Sequence, residues 1–443
     1  MTPVSRPDPA ESIAWFRQAS PYIDAHRDST LVLALPGTLL RSDVLPVLTQ
    51  DLTLLSHLGL RLVLCFGLRA QMDETLAERA LDSRIVDGRR VTDDAALAAI
   101  VEAAGRARTD LEARLSMGLP NTPMAGAHVP VSSGNLVAAR PFGVHDGIDF
   151  RHTGTVREVR VKAMEALLAA GHLVLLPPLG HSLTGDVFNL PVDEVAEHVA
   201  VSLGADKLVY FVERLPSDLH GRPVRQASVP RLERAIASGT LVHDAALLGT
   251  VERACRACRG GVGRVHLIES GDPDALLREL YSRDGSGLMI TATRWEHTRD
   301  ARIDDVGGII ELIGPLQESG ALVTRSREEL ELDIEHFVIS ERDGAVIACA
   351  ALHLASDDPS TAEISCVATH PAYRGEGRAD DLLALLEERA REAGARRALL
   401  LSTRAGHWFI ERGYLERGPD ALPPARRASY NRQRNSKVYE KRL

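Results

Sequence analysis

The sequence is short of the residues that mark several classes of protein. Among its 443 residues there are five cysteines, too few for the disulfide framework of a secreted scaffold. No apolar run reaches the roughly 18 residues that a membrane-spanning helix needs, and residues 1–10 are polar and proline-rich, without the apolar segment of a secretory signal. We therefore expect a cytoplasmic protein with no membrane partner.

Positive charge is not in excess either. The formal net charge is -9, and neither terminus carries a long run of like charge, whereas proteins that bind DNA usually show a basic balance or a basic stripe. Nucleic acid is therefore not an expected partner. The hydrophobic fraction of 44% is enough to fill sizeable cores, and the length predicts at least two domains.

One pair of cysteines, Cys255 and Cys258, has the C-x-x-C spacing of a metal site. A structural zinc site needs about four ligands, usually as two such pairs, and the sequence contains no second pair. We expect the two thiols to lie on one face of a helix, and we predict no metal in this protein.

The first two-thirds of the chain alternate apolar runs with helical patterns. Helices are predicted at Val44–Leu58, Val161–Ala170 and Val192–Leu203, and the buried strands between them are Leu31–Leu35, Leu60–Phe66, His172–Leu176, Lys207–Val212 and Val265–Ile268. Such alternation is typical of a mostly parallel sheet with helices on both faces, an αβα sandwich. We predict an α/β domain over residues 1–290, because the pattern changes after the turn Asp284-Gly285-Ser286-Gly287.

Residues 297–443 follow a different pattern. The capping box Ser326-Arg327-Glu328-Glu329 opens a helix, and two strands joined at Arg342-Asp343-Gly344 form a predicted hairpin. A third strand, a long amphipathic helix and a fourth strand follow, at Glu363–Ala368, Ala379–Ala393 and Ala398–Ser402. We predict a second domain of the α+β class with a mixed sheet.

A glycine-containing stretch lies between the third strand and the long helix. It reads Tyr373-Arg374-Gly375-Glu376-Gly377-Arg378-Ala379. Successive backbone N–H groups at a helix N-terminus bind anions, and glycine allows the backbone to approach a pyrophosphate closely. A plain polar turn is the alternative interpretation, but a glycine-rich loop that follows a strand and opens a helix is better evidence for a phosphate site.

This stretch resembles the acetyl-CoA motif of the GNAT acetyltransferases, Arg/Gln-x-x-Gly-x-Gly/Ala, with Arg374, Gly377 and Ala379 at the fixed positions. Residues 408–414 resemble the second signature of that family. Within the family, Tyr22 and three further segments look like the bacterial N-acetylglutamate synthases: Leu322–Glu328, Thr403–Phe409 and Tyr430–Lys437. The resemblance extends over nearly the whole chain.

The resemblance implies that acetyl-CoA and L-glutamate react directly to give N-acetyl-L-glutamate and CoA, the first step of arginine biosynthesis. It also implies a splayed pair of central strands that admits the pantetheine arm of CoA. The residues expected to contact the co-substrate are Val367, Arg374, Gly375, Gly377, Arg378 and Ala379. A different small amine as the acceptor remains an alternative, because the CoA loop supports it equally well.

The residues that match the family's catalytic positions suit this chemistry. The glutamate amine must lose a proton before it attacks, and Glu363 matches the family's proposed base. Ser402 matches the proposed acid for the departing thiolate, and a backbone N–H near Val367 is expected to polarise the thioester carbonyl. Arginine forks suit the two carboxylates of glutamate, and the candidates are Arg325 or Arg327, together with Arg434.

The first domain resembles the amino acid kinase fold. A working kinase has Lys-x-Gly-Gly after its first strand, whereas this chain reads Ala34-Leu35-Pro36-Gly37, and proline cannot donate an N–H. We therefore expect a regulatory domain rather than the kinase half of a bifunctional enzyme. In the family this domain binds arginine as an inhibitor and assembles homo-oligomers, commonly hexamers, and its sensing positions match Tyr22, His266, Glu279 and Gly285. A non-catalytic protein that only senses arginine is a further alternative. It would require the acetyltransferase half to have lost its motifs as the kinase half has, and those motifs are present.

Overall fold

The computed structural model describes residues 9–80, 84–86, 88–117, 124–241, 243–292, 297–342, 344–374 and 377–443. The chain divides into two compact units, Met1–Arg294 and Trp295–Leu443. Within the ranges just given, no helix combines the length and the apolar character that crossing a bilayer requires.

The N-terminal unit is an α/β structure. Its helices are α1 Pro9–His26, α2 Leu45–His57, α3 Arg69–Glu78, α4 Asp94–Leu115, α5 Val161–Ala169, α6 Val192–Ser202, α7 Val229–Ala237, α8 Ala245–Arg259 and α9 Ala275–Tyr281. Its strands are β1 Thr30–Leu35, β2 Arg61–Phe66, β3 Ile85–Val86, β4 Arg89–Arg90, β5 Val131–Ser132, β6 Val137–Pro141, β7 Val144–His145, β8 Ile148–Asp149, β9 Gly154–Val159, β10 Leu173–Leu176, β11 Leu179–His181, β12 Val187–Asn189, β13 Lys207–Val212, β14 Gln226–Ser228, β15 Arg264–Glu269 and β16 Leu288–Thr291.

The main sheet of this unit has the strand order β14-β16-β15-β13-β1-β2-β10-β5. Its neighbouring strands pair in parallel except β15 and β16. Strands β1, β10 and β13 are buried along their whole length, as near-continuous apolar runs predict for strands that are covered on both faces. One apolar cluster includes α5, α6 and α8, and a second includes α2, α4 and α9. The predicted mostly parallel sheet is confirmed.

A smaller sheet, which the sequence patterns did not predict, has the order β12-β11-β6-β9. The two cysteines of the C-x-x-C pair lie on α8, and both are buried. The Cys258 thiol contacts the carbonyl oxygen of Ile290 at 3.4 Å. Burial raises the pKa of Cys255 to about 11 and that of Cys258 to about 12. Both side chains are therefore part of the core, as expected of a helix face.

The C-terminal unit has one mixed sheet with helices on both faces. Its strands are β17 His297–Asp300, β18 Phe337–Arg342, β19 Ala345–Ala355, β20 Asp358–Thr369, β21 Arg397–Ser402, β22 Leu415–Arg417 and β23 Lys437–Arg442. Its helices are α10 Val306–Glu318, α11 Arg327–Asp333, α12 Arg378–Glu392, α13 Gly406–Ile410 and α14 Pro424–Ala428. The strand order is β17-β18-β19-β20-β21-β23-β22, with β20 and β21 parallel and the other neighbours antiparallel.

Alternation along the strands separates the two faces of this sheet. The apolar side of α12 packs on one face, against residues that include Val338, Ile364 and Leu400. Helix α10 packs on the other face, against residues that include Phe337, Ile339 and Ala351. The predicted mixed sheet is confirmed, and its third strand is longer than predicted because β20 begins at Asp358, whose side chain accepts hydrogen bonds from Ser360 and Thr361.

The predicted capping box of α11 is also confirmed. The Ser326 hydroxyl accepts a hydrogen bond from the Glu329 N–H at 3.1 Å, and the Glu329 carboxylate accepts one from the Ser326 N–H at 2.7 Å. This reciprocal pair fixes the start of α11. Arg325 therefore lies just before the helix, and Arg327 is its first residue.

Candidate active site

The centre of the C-terminal sheet opens between two parallel strands. Strands β20 and β21 pair at three positions, the last of which joins Glu363 and Leu399. Beyond that point β20 continues to Thr369 and β21 continues to Ser402 without further pairing between them. The expected splayed pair of strands is therefore present, and Glu363 lies where the opening begins.

A bulge bends β20 within this opening. Pairing with β19 shifts by one residue between Ser365 and Ala368, and Cys366 in that interval has a positive φ of 52°. A bulge of this kind turns backbone groups out of the regular ladder and re-aims them. The backbone at Val367, which follows Cys366, is therefore at the irregular part of the strand, beside the gap in the sheet.

The loop before α12 forms the far end of this region. Gly377 precedes the helix with φ 81°, a left-handed conformation that glycine adopts without strain. Arg374 is exposed, and its side chain donates to the Thr369 carbonyl at 3.2 Å. Arg378 is buried and donates to the Tyr373 carbonyl at 2.5 Å, so its guanidinium supports the loop from beneath. Gly375 lies outside the described residues.

The first turn of α12 includes Ala379, and the first four N–H groups of a helix have no partner within the helix itself. No side chain caps this helix start among the described residues. The positive end of the helix and a glycine at its entrance together suit a phosphate-bearing ligand.

Glu363 has a partner that the sequence analysis did not identify. Arg426, on α14, donates from Nε and from one terminal nitrogen to the two carboxylate oxygens, at 2.6 and 3.0 Å. The exposed fractions of the two side chains are 21% for Glu363 and 34% for Arg426. This two-pronged contact fixes the carboxylate beside the opening. The only sequence signal was the general basic character of the C-terminal tail.

The two candidate arginines near α11 differ in their surroundings. Arg325 donates to Asp333 at 2.7 Å, reaches the Ser365 hydroxyl of β20 at 3.5 Å, and lies over the ring of Phe337. Arg327 is exposed and pairs with Glu331, four residues further along the same helix. Ser365 and Glu363 point to the same face of β20 because side chains alternate along a strand. Arg325 is therefore the one that reaches the candidate site.

Arg434 forms a hydrogen bond with the segment before Arg325. One of its terminal nitrogens donates to the Ala321 carbonyl at 2.7 Å. Its Nε is buried and has no hydrogen-bond partner within the described residues. A buried donor without a partner is costly, so this nitrogen is a candidate contact for a carboxylate.

Ser402 ends β21 on the other side of the opening. Its hydroxyl oxygen accepts a hydrogen bond from the Ala405 N–H at 3.0 Å. This contact orients the oxygen and leaves the hydroxyl hydrogen available to donate. The position suits a group that gives a proton to a ligand between the separated strands.

In the N-terminal unit, three of the predicted sensing residues meet around a buried carboxylate. Glu279 accepts from His266 Nδ1 at 2.6 Å, and from the N–H groups of Ser286 and Gly287 at 2.6 and 2.7 Å. A Cβ at Gly285 would lie 2.4 Å from this carboxylate, and the residue has φ 63°. The turn therefore requires glycine at this position.

The electrostatics of this pair fix its protonation. Burial lowers the pKa of His266, in spite of its hydrogen bond to Glu279. For Glu279, burial acts to raise the pKa, but the hydrogen bonds from His266, Gly287 and Ser286 hold it below its usual value. A neutral imidazole that donates from Nδ1 to an ionised carboxylate satisfies both directions. His266 Nε2 then carries a lone pair, which is buried and has no partner among the described residues.

Tyr22 lies on α1, one turn before the buried His26. Its carbonyl oxygen is 2.5 Å from His26 Nδ1, and the His26 ring packs edge-on against Tyr281. Burial, together with the positive charge of Lys207, lowers the pKa of His26 to about 4, although the bond to Tyr22 opposes this. No pattern in the sequence indicates His26 or Tyr281, because their contact depends on the packing of α1 against α9.

A cleft of about 520 Å³ lies at the carboxyl ends of β1, β2 and β13, where open α/β sheets usually bind ligands. Its glycine loops are occupied by contacts within the protein. The Gly67 N–H donates to the Leu35 carbonyl at 2.7 Å, and the Gln71 side chain donates to the Gly37 carbonyl at 2.7 Å. Pro36 supplies no N–H and the Gly67 N–H is already bonded, so two of the donors that a phosphate cradle would use are missing here.

Two protein-family models match separate parts of the chain. Residues 29–268 match the amino acid kinase family, and residues 309–414 match the acetyltransferase (GNAT) family. The amino-acid acetyltransferase of Pseudomonas fluorescens strain Pf-5 is 45% identical over 434 residues, which cover 98% of this chain and 100% of the relative. The amino-acid acetyltransferase of Pseudomonas putida strain KT2440 is 46% identical over 436 residues, 97% of this chain and 99% of the relative.

Two solved structures of N-acetylglutamate synthase from Neisseria gonorrhoeae are similar to the chain along its length. Both are 37% identical, and the match covers 97% of this chain and 99% of theirs. The complex with coenzyme A and L-arginine superimposes with a TM-score of 0.80, and the complex with coenzyme A and N-acetyl-glutamate with 0.62.

Proposed function

The chain belongs to the family of amino-acid acetyltransferases, and we propose that it transfers the acetyl group of acetyl-CoA to the amino group of L-glutamate, giving N-acetyl-L-glutamate and CoA. The observation that carries the proposal is the opening between β20 and β21, with Glu363 at its start and the glycine loop of α12 at its end. The similar synthase from Neisseria gonorrhoeae binds coenzyme A and N-acetyl-glutamate, which supports both substrates.

The residues of the C-terminal unit fit acetyl-CoA as a co-substrate. The start of α12, with Gly377 at its entrance, offers N–H groups and a positive helix end to a pyrophosphate, and exposed Arg374 adds a cation at the same loop. Buried Arg378 supports the loop. When bound, acetyl-CoA supplies the activated acetyl thioester. In our proposal the Val367 N–H, at the bulge of β20, stabilises negative charge on the carbonyl oxygen.

Glu363 is the proposed base. It removes a proton from the glutamate ammonium, directly or through one water, so that the amine can attack. Arg426 holds both oxygens of the carboxylate in this structure, which keeps Glu363 in place beside the opening. Ser402 is the proposed acid, since its hydroxyl retains a hydrogen to donate to the thiolate.

Arginine side chains are the proposed ligands of the two carboxylates of glutamate. Arg325 and Arg434 are our candidates, because Arg325 reaches Ser365 of β20 and the Nε of Arg434 is buried without a partner in the described part of the chain. Arg327, whose guanidinium pairs with Glu331 on the exposed side of α11, is the weaker candidate. Two arginines, one for each carboxylate, would also explain selectivity for a dicarboxylic amino acid.

For the N-terminal unit we propose feedback inhibition by L-arginine. The free lone pair of His266 Nε2 and the ionised carboxylate of Glu279 are acceptors that suit a guanidinium, and Gly285 lies against that carboxylate. Tyr22 is the further sensing position that the family resemblance gives. The Neisseria gonorrhoeae synthase has been solved with L-arginine bound, which supports the assignment. Assembly into a homo-oligomer, a hexamer by family resemblance, is part of the same proposal.

The test is CoA thiol release by the full-length protein from acetyl-CoA, with each of the twenty amino acids as the acceptor and with added arginine. We expect turnover with glutamate that arginine reduces. Turnover with glutamate that added arginine does not reduce would contradict the proposed arginine inhibition but support the proposed acetyl transfer to glutamate. Turnover with another amine, and none with glutamate, would contradict the substrate assignment and leave only the acetyltransferase chemistry.

A further inference from the structure

Three metal-binding side chains meet on the α10 face of the C-terminal sheet. Asp333 ends α11, His336 lies in the short turn that follows, and His353 lies on β19. Their ligand atoms all lie within 4.8 Å of one another. We propose that Asp333, His336 and His353 form a binding site for a divalent transition metal of the zinc class. This site goes beyond the proposed acetyl transfer, which requires no metal.

The donor set suits such a metal. Two imidazoles and one carboxylate bind Zn²⁺ at about 2.0–2.2 Å, and neighbouring ligand atoms in a tetrahedral site are then about 3.3 Å apart. His353 Nε2 and Asp333 Oδ1 are already 2.8 Å apart, so a metal between them would replace the hydrogen of this bond. The centre of the His336 ring is 4.7 Å from that of His353. The His336 side chain would therefore have to move towards the other two ligands to bind the same metal ion.

His336 is free to make this movement. Its side chain is 43% exposed, and its ionic contact, with Glu335, is long at 3.8 Å. Asp333 and His353 are 22% and 30% exposed, so the cluster can be reached from solvent. The fourth position of the metal would then be open to water, as in zinc sites with three protein ligands.

The surroundings hold the carboxylate and supply negative charge. The second oxygen of Asp333 accepts from Arg325 at 2.7 Å, which leaves Oδ1 for the metal and fixes the orientation of the carboxylate, as outer-shell partners of metal ligands usually do. Between residues 328 and 335 the sequence has five carboxylates, at Glu328, Glu329, Glu331, Asp333 and Glu335. Their combined field attracts a cation and offsets the charge of Arg325.

The site would lie beside the candidate active site. His353 is the direct cross-strand partner of Glu363, and Asp333 contacts Arg325. A bound dication would therefore change the field around the proposed base and the proposed glutamate-binding arginine. We nevertheless base the test on metal binding itself, so that it can succeed or fail independently of the acetyl-transfer assay.

The experiment titrates the full-length protein with Zn²⁺ in competition with a chromogenic chelator, and repeats the titration with His336→Gln and with His297→Gln. His297 is an exposed histidine on β17 of the same unit, so it controls for general histidine binding. We expect one equivalent of Zn²⁺ on the wild type, at least about tenfold weaker binding in His336→Gln, and unchanged binding in His297→Gln.

Cobalt identifies the ligands. With Co²⁺ in place of Zn²⁺, visible bands of a site with nitrogen and oxygen ligands that are lost in His336→Gln would support the proposal. A thiolate-to-metal band would overturn it, because it would assign the metal to cysteines, such as Cys255 and Cys258. Equal Zn²⁺ affinity in the wild type and in His336→Gln, with both proteins shown to be folded by circular dichroism, would overturn it as well.

Discussion

The two units place a glycine loop at the same point of their architecture, between the end of a strand and the start of a helix, but the two loops differ in their backbone conformation and in their internal hydrogen bonds. Before α12, Gly377 opens a helix that no side chain caps within the described residues. Before α3, the Gly67 N–H is bonded to Leu35, and Gln71 holds Gly37. The N-terminal loop therefore uses the Gly67 N–H inside the sheet and gains no donor from Pro36, which makes it a poorer anion site than the loop before α12.

The two units also contain ionisable groups whose pKa values are shifted by different causes. In the N-terminal unit, burial raises the pKa of Asp51 to about 7 and lowers that of His26 to about 4, so both groups favour the neutral form. In the C-terminal unit, hydrogen bonds from Arg299 hold the pKa of Asp305 below its usual value, and Arg426 pairs with Glu363. Burial therefore controls the protonation of Asp51 and His26, whereas arginine partners keep Asp305 ionised and hold the carboxylate of Glu363 in place.

The largest effect is expected from removing the proposed base. Glu363→Gln keeps the shape of the side chain and a contact for Arg426, but it cannot take a proton. We expect kcat for glutamate acetylation to fall about 10²–10⁴-fold, with the KM for acetyl-CoA little changed. Glu440→Gln is the control, because Glu440 contacts Arg397 on the same sheet and has no proposed chemical role. A kcat within threefold of wild type in Glu363→Gln would show that the base lies elsewhere.

The second prediction concerns acid stability of the N-terminal unit. The pKa of His26 is about 4 in the folded protein, lowered by burial, and about 6.5 in an unfolded chain. The unfolded state therefore binds more protons between these values, and stability falls as the pH falls from about 6.5 to 4, by up to about 3 kcal/mol. Urea unfolding at pH 7.5 and pH 4.5 should show a smaller acid loss in His26→Gln than in wild type. An equal loss in the two proteins would contradict the prediction, and His57→Gln, on the exposed side of α2, is the matched control.

Local signals in the sequence predicted the parts of the fold that depend on neighbouring residues. The buried runs gave the parallel sheet, and Ser326 with Glu329 gave the start of α11, because each depends on side chains within a few positions. Gly377 could be assigned to the loop for the same reason. The small sheet β12-β11-β6-β9 was missed, because its strands are short and mix polar with apolar residues.

Contacts between distant segments could not be predicted. Glu363 and Arg426 are 63 positions apart, and nothing in the spacing of the basic tail distinguishes Arg426 from its neighbours. Arg325 and Arg327 are two positions apart, and only the packing of α11 against the sheet decides which one reaches Ser365. The neutral form of His266 likewise depends on burial that the sequence does not reveal.

The third prediction tests the loop that distinguishes the units. A Cβ at Gly377, with φ 81°, strains the backbone and moves the N–H groups at the start of α12. Gly394 has φ 88° and open space around its Cβ position, so Gly394→Ala carries a similar backbone cost of about 1–2 kcal/mol away from the loop. We expect the KM for acetyl-CoA to rise about 10–100-fold in Gly377→Ala and to stay within twofold in Gly394→Ala. Equal rises in both variants would indicate general destabilisation.

The smallest effect separates the two arginines at the start of α11. Arg325 lies between Asp333 and Ser365, where a planar fork fits and an ammonium group does not. We therefore expect Arg325→Lys to raise the KM for glutamate about tenfold, while the KM for acetyl-CoA changes little. Arg327→Lys should leave both constants within twofold, because its exposed pair with Glu331 contributes little. If Arg327→Lys raised the glutamate KM more than Arg325→Lys, the acceptor site would lie on the outer side of α11, and the distinction between Arg325 and the surface-exposed Arg327 would be wrong.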